Sequence, residues 1–307
     1  MAENDSLLRT WPYPIVVLQQ SKVIYFPIAK NGTSSLMTMM QQLSRPNDRP
    51  RFIENPHDLA GTGMLLADLL DAEKREVLDD PTGFKFVVLR DPFDRLASAY
   101  IDKFVLTRLA SENVHSPPVV GALRGQPDPT PETLSHGISF SEFVAYIVER
   151  PSETLDGHWR RQSDYVADLK GLRFYSIDGF DLLAYDLCHY IGLEVEIPLR
   201  NQTARCDAIA LAEDLSNEMP DVLETLDGLI KDRLYTPELR TAVANYFADD
   251  LELFERVQRE AAARRSRLEE QGVDLGSYVT SKPYMPRRRL RKALTMNGIR
   301  RLLGLTV

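Results

Sequence analysis

Apolar positions along the chain alternate between short continuous runs and helical stripes. Residues 23–28 (VIYFPI) form an apolar run of strand length, and residues 34–43 then place Leu36, Met39, Met40 and Leu43 on one face of a helix. Residues 84–89 (FKFVVL) predict a second buried strand. The helix after it is marked at its start by Asp91 as N-cap, Pro92 in the first position and Asp94 in the first turn. Its core stripe is Phe93, Leu96, Ala97, Tyr100 and Phe104.

Residues 107–137 have poor periodicity and carry Pro117, Pro118, Gly121, Gly125, Pro127, Pro129 and Pro131. They predict a long loop, either a functional cover or disordered. Helix is expected at 140–148, strand at 173–177, and helix again through Leu183, Leu187 and Ile191 until Gly192 ends it. One further helix is expected from the cap Thr236 and Pro237 to about Arg267. Strands alternating with helices predict an α/β fold, with a central parallel sheet covered on both faces and a helical C-terminal part.

Composition narrows the class. The 307 residues are 43% hydrophobic and 27% charged, as in an ordinary soluble globular protein. No apolar run approaches a membrane span and no secretory leader is visible. Cys188 and Cys206 lack disulfide-scaffold or metal-site spacing. The expected location is the cytoplasm.

Net charge is −8, unevenly spread: residues 280–307 hold eight Lys or Arg and no acid, leaving 29 basic against 45 acidic side chains on the other 279. An acidic body argues against a nucleic-acid partner, so any anion site must be local. The tail has two readings. Arg287, Arg288, Arg289, Arg291, Lys292, Arg300 and Arg301 among leucines suit a basic amphipathic helix, resting on an inner-membrane surface or a polyanionic acceptor. The other reading is a solvated tail.

The first chemical signal is Ala29-Lys30-Asn31-Gly32-Thr33-Ser34-Ser35-Leu36 between a strand and a helix. Such a loop aims backbone N–H groups and the helix dipole at one point, which attracts an oxyanion. Gly32 permits close approach, the three hydroxyls are donors and Lys30 adds charge. The lysine precedes the glycine, unlike the G-x-x-x-x-G-K-[ST] pattern, which occurs nowhere in the chain. Taken alone, this loop could equally be a strand-to-helix turn with an exposed lysine.

The second signal is Arg90 at the end of a buried strand with Ser98 eight positions on. An arginine there can chelate a phosphate that the hydroxyl also reaches. Arg95 could be the ligand instead, but its place in the first turn beside Asp94 predicts a solvent-facing side chain. Two anion sites at adjacent strand ends suit a nucleotide phosphorylated at both its 5′ and 3′ positions.

This pair of segments resembles the sulfotransferases that use 3′-phosphoadenosine 5′-phosphosulfate (PAPS), with Ala29 where proline is usual. The string RDPFDRLASAYIDKF (residues 90–104) looks most like the Golgi carbohydrate sulfotransferases of the chondroitin and dermatan type. Asp156-Gly157-His158-Trp159-Arg160-Arg161-Gln162, the segment ending at Asn201, and residues 246–254 are similar to further parts of that group. Against that group the chain is expected to lack the membrane anchor, and it has no cysteine near the His-Trp segment, where Tyr165 or Val166 stands instead.

The resemblance implies a P-loop-like three-layer α/β/α fold and PAPS as co-substrate; no metal is expected, since Lys30, Arg90 and backbone donors supply the positive charge. It implies sulfuryl transfer to a hydroxyl of a saccharide or glycoconjugate. Residues 1–275 would form the sulfotransferase domain: a PAPS-binding core at about 22–105, the long loop 107–137 and an acceptor-side helical part at 138–275. The basic tail would occupy 276–307.

By the same resemblance Lys30, Asn31, Gly32, Thr33, Ser34 and Ser35 hold the 5′ group, with Lys30 on the bridging oxygen, and Arg90 and Ser98 hold the 3′-phosphate. A histidine suits proton removal near neutral pH. His158 is the first candidate base, His57 the second, and Glu54 an alternative. His115, His136 and His189 have no supporting context. Trp159 could stack on a sugar or sit in the core. A P-loop phosphotransferase and a non-catalytic nucleotide- or glycan-binding protein are the rival readings.

Overall fold

The computed structural model describes residues 11, 13–44, 55–167, 169–200, 214–225 and 231–278. Glu54, Asn201, Cys206 and the basic tail lie outside the described residues.

The chain enters the sheet through β1 (Val16–Leu18), turns at Lys22, and returns antiparallel as β2 (Val23–Phe26). Helix α1 (Thr33–Ser44) and, after a stretch of turns, α2 (Asp71–Asp79) lead to β3 (Phe84–Leu89), which lies parallel to β2 with Tyr25 opposite Phe86. The fully parallel sheet expected is therefore corrected to a mixed four-stranded one, ordered β1-β2-β3-β4, with β4 at Leu172–Ser176. The apolar pattern gave no notice of β1 because a three-residue strand is too short to show alternation.

Alternation on β2 and β3 builds both faces. Val23, Tyr25, Phe84, Phe86 and Val88 share one core with Leu36, Met39 and Met40 of α1. Ile24, Phe26, Val87 and Leu89 point the other way, into a core with Trp11 and Tyr165.

After β3, Asp91 caps α3 (Pro92–Tyr100), accepting the Asp94 N–H at 2.9 Å as the sequence predicts. The helix runs on into a π-helical turn, Ile101–Leu106. The long loop expected over 107–137 is corrected: it contains α4 (Ser116–Arg124) and α5 (Pro131–His136). Pro117, Pro118 and Pro131 sit in the first turns of these helices, where a missing N–H costs nothing, and Pro127 and Pro129 lie in the stretch between them. Gly125 and Gly137, both at positive φ, end them.

Helix α6 (Phe140–Val148) carries a capping box between Ser139 and Glu142. The short α7 (Ser163–Val166) precedes β4, and α8 (Phe180–Ile191) then packs Leu183 and Leu187 on the α1 side of the sheet and ends at left-handed Gly192. Helix α9 (Pro220–Thr225) follows.

The single helix expected from Thr236 to Arg267 is two: α10 (Pro237–Tyr246) and α11 (Ala248–Glu270), broken at buried Phe247. The break re-aims the apolar stripe. Val243 and Phe247 face a helical core with Tyr100, Phe104, Phe143 and Trp159, whereas Phe254 and Val257 face the sheet. Trp159 is 1% exposed and belongs to that core, not to a sugar platform. Among the described residues, no helix is long and apolar enough to cross a membrane.

Candidate active site

The loop after β2 is shaped by two left-handed backbones, Lys30 (φ 67°) and Gly32 (φ 76°). A Cβ on Gly32 would stand 2.7 Å from the Phe180 ring, so only glycine fits there. The loop opens onto the N-terminus of α1, whose first N–H groups have no intrahelical acceptor.

The side chains of the loop divide between the protein and its surface. Asn31 is fully buried, donating from Nδ2 to Val88 O (2.8 Å) and Gln162 Oε1 (2.6 Å). Thr33 Oγ1 donates to Ile28 O (2.9 Å), and Ser35 Oγ accepts the Arg200 N–H (3.0 Å). Of the three hydroxyls expected to face an anion, Thr33 therefore braces the loop itself and Ser35 ties the helix start to the segment at Arg200. Ser34 meets His57 Nε2 at 3.0 Å. Burial and the nearby Arg200 and Lys103 hold the His57 imidazole below the usual histidine range.

Lys30 Nζ donates to Asp102 Oδ2 (2.9 Å), an oxygen that Lys103 also approaches (3.3 Å). Burial holds the Lys30 ammonium below the usual lysine range, with Asp102 opposing. Asp102 and Lys103 lie in the π-helical turn, a local irregularity that often marks functional sites.

Arg90 is brought to Ser98, as expected, with Nη1 3.5 Å from Ser98 Oγ. The same Nη1 donates to the Lys30 carbonyl at 2.7 Å, so the two strand ends touch. Asp94 was expected only as a helix-dipole partner. It receives the Arg90 Nε–H at 2.5 Å through Oδ2, and Lys231 Nζ at 2.5 Å through Oδ1. Against the upward push of burial, those two cations hold the Asp94 carboxyl below its ordinary range.

The expectation that Arg95 faces solvent is corrected: it is 2% exposed. Its Nε, Nη1 and Nη2 donate to the carbonyls of Ala29 (3.0 Å), Arg160 (2.8 Å) and Gly157 (2.8 Å). Binary patterning does not reveal an arginine that is buried because it satisfies three backbone acceptors. It fastens the His-Trp segment to the start of the Lys30 loop.

On that segment His158 is 8% exposed, and its Nδ1–H donates to Asp156 Oδ1 (2.8 Å), with Tyr13 Oη 3.2 Å away. His115 donates to the other carboxylate oxygen, Asp156 Oδ2 (2.8 Å), and its ring centroid lies 4.1 Å from that of His158. Burial lowers the His158 pKa to about 4, Asp156 opposing, so the imidazole is neutral at physiological pH. Against burial, hydrogen bonds from both histidines hold Asp156 well below the carboxylate range. The donor atoms of His115, Asp156 and His158 lie within 4.8 Å of one another, near enough for a shared ion, and each is satisfied by a hydrogen bond within the trio.

Sequence reasoning passed over His115, Lys103, Asp102, Lys231 and the burial of Arg95. Asp102 and Lys103 stood within the quoted RDPFDRLASAYIDKF string. His115 and Lys231 are distant in sequence from their partners and carried no signal.

The structure is thus an α/β sheet with a glycine-bearing loop and a helix N-terminus after β2, joined through Arg90 Nη1 and Lys30 O to the end of β3. Residues 13–255 match the sulfotransferase family, and the chain belongs to that family. It is 29% identical over 154 residues to carbohydrate sulfotransferase 14 of Homo sapiens, covering 49% of this chain and 39% of that protein. It is 30% identical over 149 residues to carbohydrate sulfotransferase 10 of Homo sapiens, covering 46% and 40%. It is 28% identical over 153 residues to carbohydrate sulfotransferase 11 of Rattus norvegicus, covering 48% and 43%. The matched segments span well under half of these relatives. No solved structure matches the chain significantly.

Proposed function

We propose that the chain transfers the sulfuryl group of PAPS to a hydroxyl of a saccharide or glycoconjugate, on a P-loop-like α/β/α scaffold. The observation that carries this reading is the contact between the two anion sites, Arg90 Nη1 to Lys30 O at 2.7 Å, within a chain of the sulfotransferase family. The saccharide acceptor is supported by the names of the relatives.

The donor set fits this ligand. The α1 N-terminus, the Gly32 backbone and Ser34 take the 5′-phosphate, and Arg90 and Ser98 take the 3′-phosphate. In the in-line step the acceptor oxygen bonds to sulfur as the bond from sulfur to the bridging phosphate oxygen breaks. Lys30 neutralises the charge left on that oxygen. The acceptor proton passes to His158 Nε2, which is free of a proton because Nδ1–H is engaged by Asp156. His57, beside Ser34, is the second candidate for that proton.

Thermal melting with 3′,5′-adenosine bisphosphate, AMP, and ATP with magnesium tests the cofactor site on wild type and Arg90→Ala. The bisphosphate should stabilise the wild type by about 3 kcal/mol at a hundredfold excess over Kd, and the variant far less. A larger shift with ATP and magnesium would overturn the reading in favour of a phosphotransferase. Transfer of labelled sulfate from PAPS to a saccharide panel tests the activity. Bisphosphate binding with no transfer to any acceptor would favour a binding protein.

A further inference from the structure

Gln162 stands between the two anion sites and contacts both. Its side chain is 1% exposed, yet it is fully engaged. Oε1 accepts from Asn31 Nδ2 (2.6 Å) and from the Arg90 backbone N–H (3.0 Å). Nε2 donates to the Arg90 carbonyl (2.9 Å) and, at longer range, to Asp250 Oδ2 (3.4 Å). One amide thus grips both polar groups of the Arg90 backbone and the buried side chain of the Lys30 loop.

The grip is itself anchored. The backbone N–H groups of Gln162 and Ser163 donate to Asp250 Oδ2 and Oδ1, each at 2.8 Å. Asp250 lies on α11, is 1% exposed, and sits within electrostatic reach of buried Arg95. A buried carboxylate is costly unless its oxygens are hydrogen-bonded, and both of these are. An apolar side chain of the same length would fill the space. The amide supplies the donor and the acceptor that these backbone and side-chain groups need.

We propose that Gln162, anchored by Asp250, is a positioning residue that sets the spacing of the Lys30 loop and Arg90, and so makes the chain select a ligand phosphorylated at both ends. This rests on the reading of the two strand ends as 5′ and 3′ phosphate sites. Two linked phosphates bind better than either alone only where both sites stand at the ligand's own spacing. Loosening the clasp leaves the charges of Lys30 and Arg90 in place and removes that advantage.

The test is calorimetric titration of 3′,5′-adenosine bisphosphate, 5′-AMP and 3′-AMP into the full chain, as wild type, Gln162→Met and Asp250→Asn. Each variant should bind the bisphosphate about tenfold more weakly or worse, while each monophosphate changes by less than about threefold. In turnover, KM for PAPS should rise while KM for the acceptor stays constant. All three ligands are measured on one preparation, so the ratio is readable in a destabilised variant. Asp250→Asn keeps the shape of the anchor should Gln162→Met fail to fold. Equal weakening of all three ligands, or an unchanged bisphosphate affinity, overturns the proposal. A wild-type chain with no preference for the bisphosphate overturns the donor assignment instead, whatever the variants do.

Discussion

Lys30 combines a left-handed backbone with the charge that the proposed reading assigns to the bridging oxygen. A non-glycine residue in that conformation costs on the order of 1 kcal/mol, so chemistry and stability separate at this position. Lys30→Gly should leave stability within about 1 kcal/mol of wild type, because relief of strain offsets the freer unfolded chain. Sulfuryl transfer should fall by about a hundredfold or more. Chemical denaturation and initial rates, measured together, check both halves.

His158 makes a prediction about pH. Its folded pKa of about 4 lies below the ordinary histidine value, so between those two pH values the unfolded chain binds the extra proton. Stability should therefore fall as pH drops from about 6.5 to 4, with His158 contributing up to about 3 kcal/mol of the loss. In His158→Gln the fall over that window should be shallower by that amount, measured by denaturation at each pH. A variant with an unchanged slope would show that this imidazole is not buried as described.

Among secondary-structure elements, the junction of β2 and α1 is tightly constrained. Gly32→Ala would press a methyl group onto Phe180 and strain a positive φ, costing about 1–3 kcal/mol. A lowered Tm with weakened bisphosphate binding is the expected result. This junction was legible in the sequence because a buried strand, a glycine loop and a helical stripe follow one another without a gap. Strand β3 and its capped helix were legible for the same reason.

The segment over 107–137 was not, since prolines and glycines that serve as helix starts and stops look from sequence like breaks. Nor was the interruption at Phe247, because a stripe that changes which core it faces keeps the same period throughout. The candidate site divides likewise. Lys30, Arg90 and Ser98 announce themselves by position, whereas His115 and Lys231 reach their partners across 41 and 137 residues.

Across the whole molecule, a few buried polar side chains join the sheet to the helical half. Arg95 ties Ala29 to Gly157 and Arg160. Arg95→Met would fill similar space but orphan three carbonyls, and should destabilise the fold by about 3 kcal/mol. It should also lower transfer, because His158 rides on the freed segment. Denaturant midpoints and rates at equal folded fraction separate the two effects. Lys231 makes the corresponding link on the Arg90 side through Asp94. Asp94→Asn removes a carboxylate that competes for Arg90 and should tighten bisphosphate binding several-fold, as read by calorimetry.

The contact between Arg90 and the Lys30 loop also bears on what happens after the reaction. On the proposed reading, every group that this joined site grips belongs to the nucleotide, and the departing sulfuryl carries none of them away. The spent nucleotide is therefore held about as firmly as the fresh one. Turnover would then be paced by its escape, and the enzyme would work only as fast as its surroundings clear that by-product.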